Sequence, residues 1–292
     1  LQLSRAMSYK AAMAGLDLGG GKAVILGEPA RLRSEGLLAD YAAFLNSFEG
    51  RYYTAEDVGT TQADMDELGR NTSFVTGRSV EMGGSGDPSP LTAFGVLRAM
   101  QAAAAALFGS PSLEGRHVAV SGVGKVGGAL CELVVEDGGR LTVADLDSGV
   151  VASLANRLSA KAVGCNEIHG VECDIYAPCA LGGALNAATV PELRCTAVVG
   201  AANNQLASPE IAEELSHRDI AYVPDYVANA GGIINIAYER GGYDATAAHE
   251  HVGRIFDAVA GLFEEASRSG DTLEAIADRT AGARIEKARA SA

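Results

Sequence analysis

A glycine-rich turn between a β-type run and an apolar helical run constrains the fold more than any other feature of the sequence. The run His117–Ser121 leads into Gly122-Val123-Gly124-Lys125-Val126-Gly127, which has the spacing G-x-G-x-x-G. In a strand–turn–helix unit, the first glycine makes the tight turn, the second lets backbone approach a pyrophosphate, and the third lets the helix pack on the strand. Phosphates then lie at the helix N-terminus, where free N–H groups favour anions. The turn therefore predicts a dinucleotide site.

An acidic residue follows the next β-type run at the distance that such a unit uses. Asp145 lies 21 positions beyond Gly124 (145 − 124) and directly follows Leu141–Ala144. A carboxylate at this place accepts hydrogen bonds from a ribose diol and repels a 2′-phosphate, so NAD is favoured over NADP. The alternative is that the glycines merely form a turn, but strand, spacing and acid together favour the dinucleotide site.

Beyond a glycine and proline segment, Gly83–Pro90, β-type and helical runs alternate. The segment itself predicts a hinge, because flexible glycines precede prolines that suit a helix start. A long helical run follows it and ends at Leu107. The β-type runs after that helix are His117–Ser121, Leu141–Ala144, Asp174–Ala177, Ala197–Gly200 and Ile220–Val223. Their alternation with helical runs predicts an α/β fold with a parallel, doubly wound sheet of the Rossmann type.

The sequence before the hinge predicts a first α/β unit. Its short β-type runs are Ala23–Leu26, Arg51–Thr54 and Ser73–Thr76, and Ser34–Phe48 has a helical pattern. We expect two domains separated by a cleft. A substrate and catalytic domain covers residues 1–82 and is completed by a C-terminal helix at 271–292, and an NAD-binding domain covers residues 88–270.

The composition argues against several classes of protein. Acidic residues number 37 against 23 basic ones, and the net charge of −14 opposes binding to nucleic acid, which relies on lysine and arginine. No apolar run approaches the roughly 20 residues that a bilayer crossing requires, and no signal peptide is visible. The five cysteines are scattered without metal-site spacing. We expect a soluble, cytoplasmic protein with no metal and no nucleic-acid or membrane partner.

Near the start of the sequence, two lysines flank an apolar and glycine-rich stretch. Lys10 precedes this stretch, and Gly19, Gly20 and Gly21 lie directly before Lys22. Glycines without side-chain bulk allow a ligand to lie against the backbone, and desolvation lowers the pKa of a lysine towards neutrality. The stretch therefore suggests a site at which a lysine acts as a base.

Two further polar residues are candidates for the same site. Asp57 lies in a turn-like segment after a β-type run, and Asn229 lies within Pro224–Gly232. Each candidate also has an ordinary structural explanation: Lys22 as a solvated charge, Asp57 as a helix cap and Asn229 as a turn former. Spacing alone leaves both explanations open.

Several segments together resemble the leucine/valine/phenylalanine dehydrogenase branch of the glutamate dehydrogenase superfamily, and the resemblance covers almost the entire chain. The segments are Met7–Lys10, Gly19–Lys22, Thr54–Thr60, Ala177–Gly183, Gly200–Leu206 and Pro224–Gly232. The resemblance is closest to the leucine and valine enzymes. It implies a two-domain oxidoreductase that assembles as a homo-oligomer and uses NAD for the reversible oxidative deamination of a branched-chain L-amino acid (valine, leucine or isoleucine). The products are the 2-oxo acid, ammonia and NADH.

The resemblance also implies roles for the candidate residues. Lys10 binds the substrate α-carboxylate with help from Asn229, and Lys22 is the general base on the water that attacks the iminium. Asp57 exchanges a proton with the leaving ammonia. Further substrate contacts fall on Gly20 and Gly21, and the side-chain pocket is lined by Ala55, Ile233 and Ile236.

The implied cofactor contacts extend beyond the glycine-rich turn. They comprise Gly122, Gly124, Lys125, Val126, Gly127 and Asp145 at the dinucleotide turn, Thr92, Ala201, Ala202 and Asn203 at the nicotinamide end, and Cys179 and Ala180 nearby. Cys179 is expected to be a small buried apolar residue, and no thiol chemistry is predicted.

Three alternatives remain open. A phenylalanine dehydrogenase would share the chemistry, but Ile233 and Ile236 are expected to crowd an aromatic ring. Compared with the family, the sequence lacks an opening section that carries substrate contacts and part of the oligomer interface, so an NAD-binding module without turnover is a second alternative. The third, a hydroxy-acid dehydrogenase, would require a His-centred acid/base motif that the sequence does not show.

Overall fold

The structure, a computed structural model that describes residues 1–291, contains a six-stranded sheet in which every paired neighbour is parallel. The strands are β1 (His117–Ser121), β2 (Arg140–Ala144), β3 (Lys161–Ala162), β4 (Ile175–Pro178), β5 (Ala197–Val198) and β6 (Ala221–Tyr222). Their order in the sheet is β3-β2-β1-β4-β5-β6. The predicted α/β class and parallel sheet are confirmed. Strand β3 was not predicted, because two exposed residues carry no apolar pattern.

The strand order reverses between β1 and β4, and this reversal determines where a ligand can bind. Strand β1 pairs in parallel with β2 on one side and with β4 on the other. Because connections between parallel strands are right-handed, the connections that follow β1 and β4 lie on opposite faces of the sheet. In open parallel sheets, ligands bind outside the carboxyl ends of the strands at such a reversal. The glycine-rich turn directly follows β1 and therefore lies at this point.

Helices lie on both faces of the sheet and also form part of the region before the hinge. They are α1 (Gln2–Met13), α2 (Pro29–Leu32), α3 (Glu35–Asn46), α4 (Gln62–Leu68), α5 (Ser89–Phe108), α6 (Lys125–Glu136), α7 (Ser148–Leu158), α8 (Glu210–His217), α9 (Asp225–Ala228), α10 (Gly231–Ala237), α11 (Ala245–Gly253), α12 (Ile255–Ser269) and α13 (Leu273–Ser291). Side chains alternate along β1, so Val118 and Val120 join the larger apolar core on one face and Ala119 joins a second core on the other. Burial on both faces explains why these strands read as continuous apolar runs.

Helix α5 is the central helix of the larger core. It packs against α6, α10 and α12, and Val96, Ala99 and Met100 are fully buried. The expectation that no apolar segment approaches the length of a membrane span was wrong for this 20-residue helix, in which an 18-residue window has a mean hydropathy of 1.5. Half of that window is buried inside the fold, so its apolarity is explained by its place in the core.

The region before the hinge has less regular structure than predicted. The expected strand at Ala23–Leu26 is an exposed irregular segment, and the other two β-type runs meet only in an isolated parallel bridge between Thr54 and Val75. A β-run needs a hydrogen-bonded neighbour, and within residues 1–291 none pairs with 23–26. A small core of Ala42, Met65, Leu68 and Val75 supports this region.

The end of the chain returns to its beginning. Helix α12 stops at Gly270, whose φ of +78° suits glycine, and α13 then packs along α1. Asp278 accepts hydrogen bonds from the Tyr226 hydroxyl at 2.7 Å and from the Arg5 guanidinium at 3.4 Å. The division into two domains at the predicted boundaries stays a prediction.

Candidate active site

The three glycines of the turn after β1 are required for three different reasons. Gly122 has a φ of +95°, and a Cβ there would lie 2.6 Å from the backbone nitrogen of Ala180. A Cβ on Gly127 would lie 1.9 Å from the carbonyl oxygen of Gly122, so α6 packs on the turn only without a side chain. A Cβ on Gly124 would meet nothing within 4 Å. Open space at the second glycine is what the close approach of a pyrophosphate requires.

The first turn of α6 is open to an anion. This 12-residue helix begins at Lys125 with Gly124 as its N-cap, and no side chain caps it in the described part of the chain. Its first N–H groups therefore remain available as donors. The Lys125 side chain, 75% exposed, forms an ion pair with Asp87 at 3.3 Å and adds positive charge beside the turn.

Asp145 lies at the carboxyl end of β2, as expected from its spacing. Its Oδ2 accepts a hydrogen bond from the Val123 N–H at 2.7 Å, and its Oδ1 accepts one from the Asp147 N–H at 3.1 Å. The carboxylate is thus fixed against the glycine-rich turn. Each of its oxygens has a second lone pair that can accept a hydroxyl.

The loops after β4, β5 and β6 bring further predicted residues to the same edge of the sheet. Cys179 and Ala180 directly follow β4, Ala201–Asn203 lie in the turn after β5, and Asn229 ends the short helix after β6. Cys179 is of intermediate exposure, although a buried residue was expected, and desolvation of its thiol raises the pKa to about 12.

Lys10 reaches this edge from α1. Its Nζ donates a hydrogen bond to the Oδ1 of Asn203 at 3.0 Å. Burial is the main cause that lowers the pKa of Lys10 to about 8; the carboxylate of Asp225 opposes this shift and the nearby ammonium of Lys22 contributes to it. Lys10 is therefore a partly desolvated cation at the carboxyl ends of β5 and β6.

Asn229 is fixed by the turn after β5. Its Nδ2 donates to the carbonyl oxygen of Ala201 at 3.0 Å and to the Oδ1 of Asn203 at 2.9 Å, and the residue is 5% exposed. These acceptors set the orientation of the amide. Its own Oδ1 is buried and has no hydrogen-bond partner. Such an unpaired acceptor costs about 1–3 kcal/mol, and an N–H group of a ligand would satisfy it.

Lys22 and Asp57 form an ion pair through Nζ and Oδ2. The Lys22 side chain is 29% exposed and that of Asp57 is 50% exposed, so the pair is open to solvent on one side. Burial lowers the pKa of Lys22, while the adjacent carboxylate favours the charged form. The pair therefore joins a partly desolvated base to an acid within proton-transfer reach.

The loop that carries Asp57 is fixed from both sides. The Val58 N–H donates to Asp57 Oδ1 at 2.7 Å, which leaves Oδ2 facing Lys22. Arg33 clamps the same loop, because its Nη2 lies 3.1 Å from the Gly59 carbonyl oxygen and 3.0 Å from the buried carboxylate of Asp64.

Gly20 and Gly21 lack side chains for a reason that the sequence did not indicate. A Cβ on Gly20 would lie 2.2 Å from the Ser8 nitrogen, and one on Gly21 would lie 2.3 Å from the ring of Tyr52. The Ser4 hydroxyl also donates to the Gly20 carbonyl oxygen at 2.7 Å. Gly20 therefore lets the chain pack against α1, and Gly21 lets it pack against Tyr52. Direct ligand contacts at these two positions stay a prediction.

The predicted side-chain pocket is built from half-buried residues. Ala55, Ile233 and Ile236 are each of intermediate exposure. Helix α10, which carries both isoleucines, packs closely on the start of α5, where a Cβ on Gly232 would lie 3.0 Å from the Thr92 hydroxyl. That the three apolar residues line one pocket stays a prediction.

Three acidic residues, Glu239, Asp225 and Asp87, were not predicted from the sequence. Glu239 accepts hydrogen bonds from the N–H groups of Gly77 and Ser85, and Asp225 accepts one from the Gln205 N–H at 2.9 Å. Asp87 pairs with Lys125. Asp225 lies inside the Pro224–Gly232 motif, so an acid within an apolar segment was a signal that could have revealed it.

Two surface cavities lie away from these residues. One, of about 430 Å³, is beside Tyr53 and Glu239, and the other, of about 550 Å³, is between α1, α12 and α13. Neither is lined by a predicted site residue, so the chemistry is assigned from the side chains that meet at the sheet edge.

Comparisons with known proteins agree with this geometry. Residues 1–74 match the family model described as Glu/Leu/Phe/Val dehydrogenase, dimerisation domain, and residues 83–155 and 147–243 match that of glutamate/leucine/phenylalanine/valine dehydrogenase. The chain is 48% identical to a leucine dehydrogenase of Geobacillus stearothermophilus over 289 residues, which are 99% of this chain and 79% of the relative. It is 50% identical to a valine dehydrogenase of Streptomyces virginiae over 292 residues, 99% of this chain and 82% of that one.

Solved structures show the same fold. An L-tryptophan dehydrogenase from Nostoc punctiforme is similar with a TM-score of 0.87 and 38% identity, over 99% of this chain and 83% of that chain. A hetero-hexameric glutamate dehydrogenase from Thermus thermophilus is similar with a TM-score of 0.80 and 26% identity, over 98% and 76% of the two chains. On these matches and on the residues gathered at the sheet edge, the chain belongs to the Glu/Leu/Phe/Val dehydrogenase family.

Proposed function

We propose that this protein is an NAD-dependent dehydrogenase that oxidatively deaminates a branched-chain L-amino acid, valine, leucine or isoleucine, in a reversible reaction. The observation that carries the proposal is the meeting of Lys10, Asn203 and Asn229 at the carboxyl edge of the sheet. The Lys22 ammonium, which pairs with Asp57, is close enough to lower the pKa of Lys10. On this proposal, a carboxylate-binding cation, a base and an acid would serve one site beside the proposed dinucleotide.

The residues present fit a nicotinamide dinucleotide. The open space at Gly124 and the uncapped start of α6 would receive the pyrophosphate, and Asp145 would accept the hydroxyls of a ribose. When bound, the nicotinamide would accept a hydride from the substrate Cα. Because the Asp145 carboxylate would repel a 2′-phosphate, NAD is proposed rather than NADP.

Lys10 and Asn229 would hold the substrate and orient its Cα. The Lys10 ammonium pairs with the α-carboxylate, and Asn229 adds an amide donor from its buried position. Positioning of this kind supplies a large part of a rate enhancement, because it converts an encounter into a fixed geometry. We propose that the two parts of the chain form two domains with this site in the cleft between them.

Lys22 and Asp57 would move the protons. After hydride loss the substrate is an iminium, and neutral Lys22 takes a proton from the water that attacks its carbon. Lys22 returns that proton to the amine nitrogen as the carbinolamine collapses. The hydroxyl proton passes to the Asp57 carboxylate, which gives it to the departing ammonia. Burial supports this role, because it lowers the pKa of Lys22 and so favours the neutral form that accepts a proton.

The side chain of the substrate would meet Ala55, Ile233 and Ile236. An apolar lining disfavours glutamate, because a buried distal carboxylate would need a cationic partner. Two branched isoleucines disfavour an aromatic ring. Valine, leucine and isoleucine differ by about one methylene, worth ~1–3 kcal/mol, so overlapping activity is expected among them.

We also propose that the protein assembles as a homo-oligomer. The family model matched by residues 1–74 is named a dimerisation domain, and one structural relative is hetero-hexameric. The exposed apolar run Val24, Ile25 and Leu26 offers surface for such an assembly.

A substrate panel tests the proposal directly. Purified protein is mixed with NAD or NADP and with valine, leucine, isoleucine, phenylalanine or glutamate, and the growth of reduced-cofactor absorbance is followed. We expect NAD turnover with the three branched substrates. A higher kcat/KM for phenylalanine would contradict the pocket, tighter binding of NADP would contradict the role of Asp145, and cofactor binding without turnover would indicate a module that binds NAD only.

A further inference from the structure

One amide oxygen occupies the meeting point of the two donors assigned to the substrate carboxylate. Asn203 Oδ1 accepts hydrogen bonds from Lys10 Nζ at 3.0 Å and from Asn229 Nδ2 at 2.9 Å. The two donors come from α1 and from the end of α9, far apart in the sequence. Asn203 itself is exposed, so burial does not force its side chain into this position.

The arrangement has the chemistry of one carboxylate oxygen. An oxygen that receives one ammonium N–H and one amide N–H is bound as an oxygen of the substrate α-carboxylate would be. We propose that Asn203 is an internal stand-in for the substrate carboxylate, and that the substrate binds by displacing its side chain from Lys10 and Asn229. The inference rests on the proposed function and adds a residue that positions the carboxylate site and selects for anions.

The stand-in gives the site two properties. It keeps the half-buried Lys10 ammonium paired, which matters because a cation that has lost part of its water is less stable without a partner. It also selects for charge: the Lys10 ammonium gains the attraction between opposite charges from a carboxylate, but only a charge–dipole attraction from a neutral amide oxygen. An anionic ligand therefore displaces the amide, whereas a neutral ligand gains little by doing so.

The exchange requires only a side-chain rotation. The backbone of the turn is held by the Asn229 amide, which also binds the carbonyl oxygen of Ala201 at 3.0 Å. The next residue, Asn204, has a φ of +52° and completes the turn in the left-handed region. Asn203 can therefore leave the two donors while its main chain stays in place.

The test uses 4-methylpentanoate, a carboxylate with the side chain of leucine and no α-amino group, so binding is read without turnover. Its Kd is measured by calorimetry for the wild type, N203A and N203D. If Asn203 is a neutral stand-in, we expect N203A to bind 4-methylpentanoate as tightly as the wild type or about two- to fivefold more tightly, because the competing side chain is gone. N203D, with a charged competitor of the same shape, is expected to bind at least about tenfold more weakly.

Kinetics separate this role from a structural one. N203D is expected to raise the KM for leucine at least about tenfold, a larger factor than any loss in kcat, since the stand-in has left at saturation. It is also expected to shift the pH dependence of 4-methylpentanoate binding upwards, because a carboxylate beside Lys10 favours its ammonium. The control N204G keeps the left-handed backbone and should match the wild type in Kd and KM.

The outcomes distinguish this inference from the proposed function. If the wild type turns over leucine but N203A weakens 4-methylpentanoate binding as much as N203D does, Asn203 aids the ligand and the stand-in is refuted while the function survives. If the wild type neither binds the carboxylate nor turns over any branched amino acid, both are overturned.

Discussion

The sheet region and the region before the hinge hold together by different means. Residues 117–223 form six paired strands, and side chains such as Val118, Val120 and Ile175 in the central strands are fully buried. The first 76 residues contain one isolated bridge and a small four-residue core. The sheet region is supported by its own layers, whereas the other region relies on contacts from distant parts of the chain.

This difference divides the proposed cofactor site from the proposed catalytic groups. The glycine-rich turn lies on the sheet, but Lys10, Lys22 and Asp57 belong to the less regular region. Distant residues fix that region: α13 packs on α1, and the Glu239 carboxylate binds backbone N–H groups on either side of residues 78–84. Changes in one region should therefore affect binding of the dinucleotide, and changes in the other should affect turnover.

Replacing Lys22 by alanine should separate turnover from dinucleotide binding most strongly. Loss of the general base is expected to lower kcat by about 10²–10⁴-fold. The Kd for NAD should stay at the wild-type value, because Lys22 lies outside the glycine-rich turn. Steady-state kinetics and calorimetry on K22A measure both quantities.

A matched control for this variant is K161A, which removes an exposed lysine from β3 at the edge of the sheet. It should leave kcat unchanged. Near-wild-type turnover by K22A would overturn the assignment of the base, and a parallel loss of NAD binding would show that the two regions are not separable in this way.

The glycine-rich turn allows the opposite experiment. G127A places a Cβ 1.9 Å from the Gly122 carbonyl oxygen, so α6 must shift, and we expect a loss of about 1–3 kcal/mol in the free energy of unfolding. G124A meets nothing within 4 Å and should keep the wild-type Tm, yet weaken NAD binding at least about tenfold by filling the place of the pyrophosphate. Thermal melting and NAD titration of both variants measure these effects. Equal Tm values for G127A and G124A would contradict the prediction.

Lys10 joins the two regions, and its titration should be visible in carboxylate binding. Burial lowers its pKa to about 8, so the ammonium that attracts a carboxylate is lost as the pH rises through that value. We expect the Kd for 4-methylpentanoate to be constant below about pH 7 and to rise about tenfold per pH unit at high pH. The variant K10R stays charged and should give a flat profile. A flat profile in the wild type would exclude Lys10 as the titrating group.

The sequence was informative where structure is encoded locally. Five of the six strands, the long helix α5 and the break at Gly270 were predicted from apolar runs and glycine positions. The glycine-rich turn was also predictable, because strand, turn and helix follow one another along the chain. The two-residue β3 was missed, since so short a strand has no period.

The links between distant segments could not be predicted from local patterns. Nothing in α1 indicates that Lys10 meets Asn203, 193 positions away, or that Glu239 binds Gly77, 162 positions away. The run at 23–26 has strand-like composition, but a strand also requires a neighbour. The resemblance to a family identified most of the candidate site residues, but only the structure shows the hydrogen-bond or ion-pair partner of each one.

The smallest expected effect lies where α13 meets the sheet region. Burial raises the pKa of Glu274 to about 7, and the nearby carboxylates of Asp278 and Asp225 add to the shift. The folded state therefore binds this proton more tightly than the unfolded chain, so stability falls as the pH rises from about 4.5 to about 7 and stays lower above. E274Q keeps the neutral form and should gain about 1 kcal/mol, or ~2–4 °C in Tm, at about pH 8 and nothing at about pH 4.5. The exposed E264Q should show no such difference, and an E274Q gain that is equal at both pH values would show that packing, not proton binding, governs this junction.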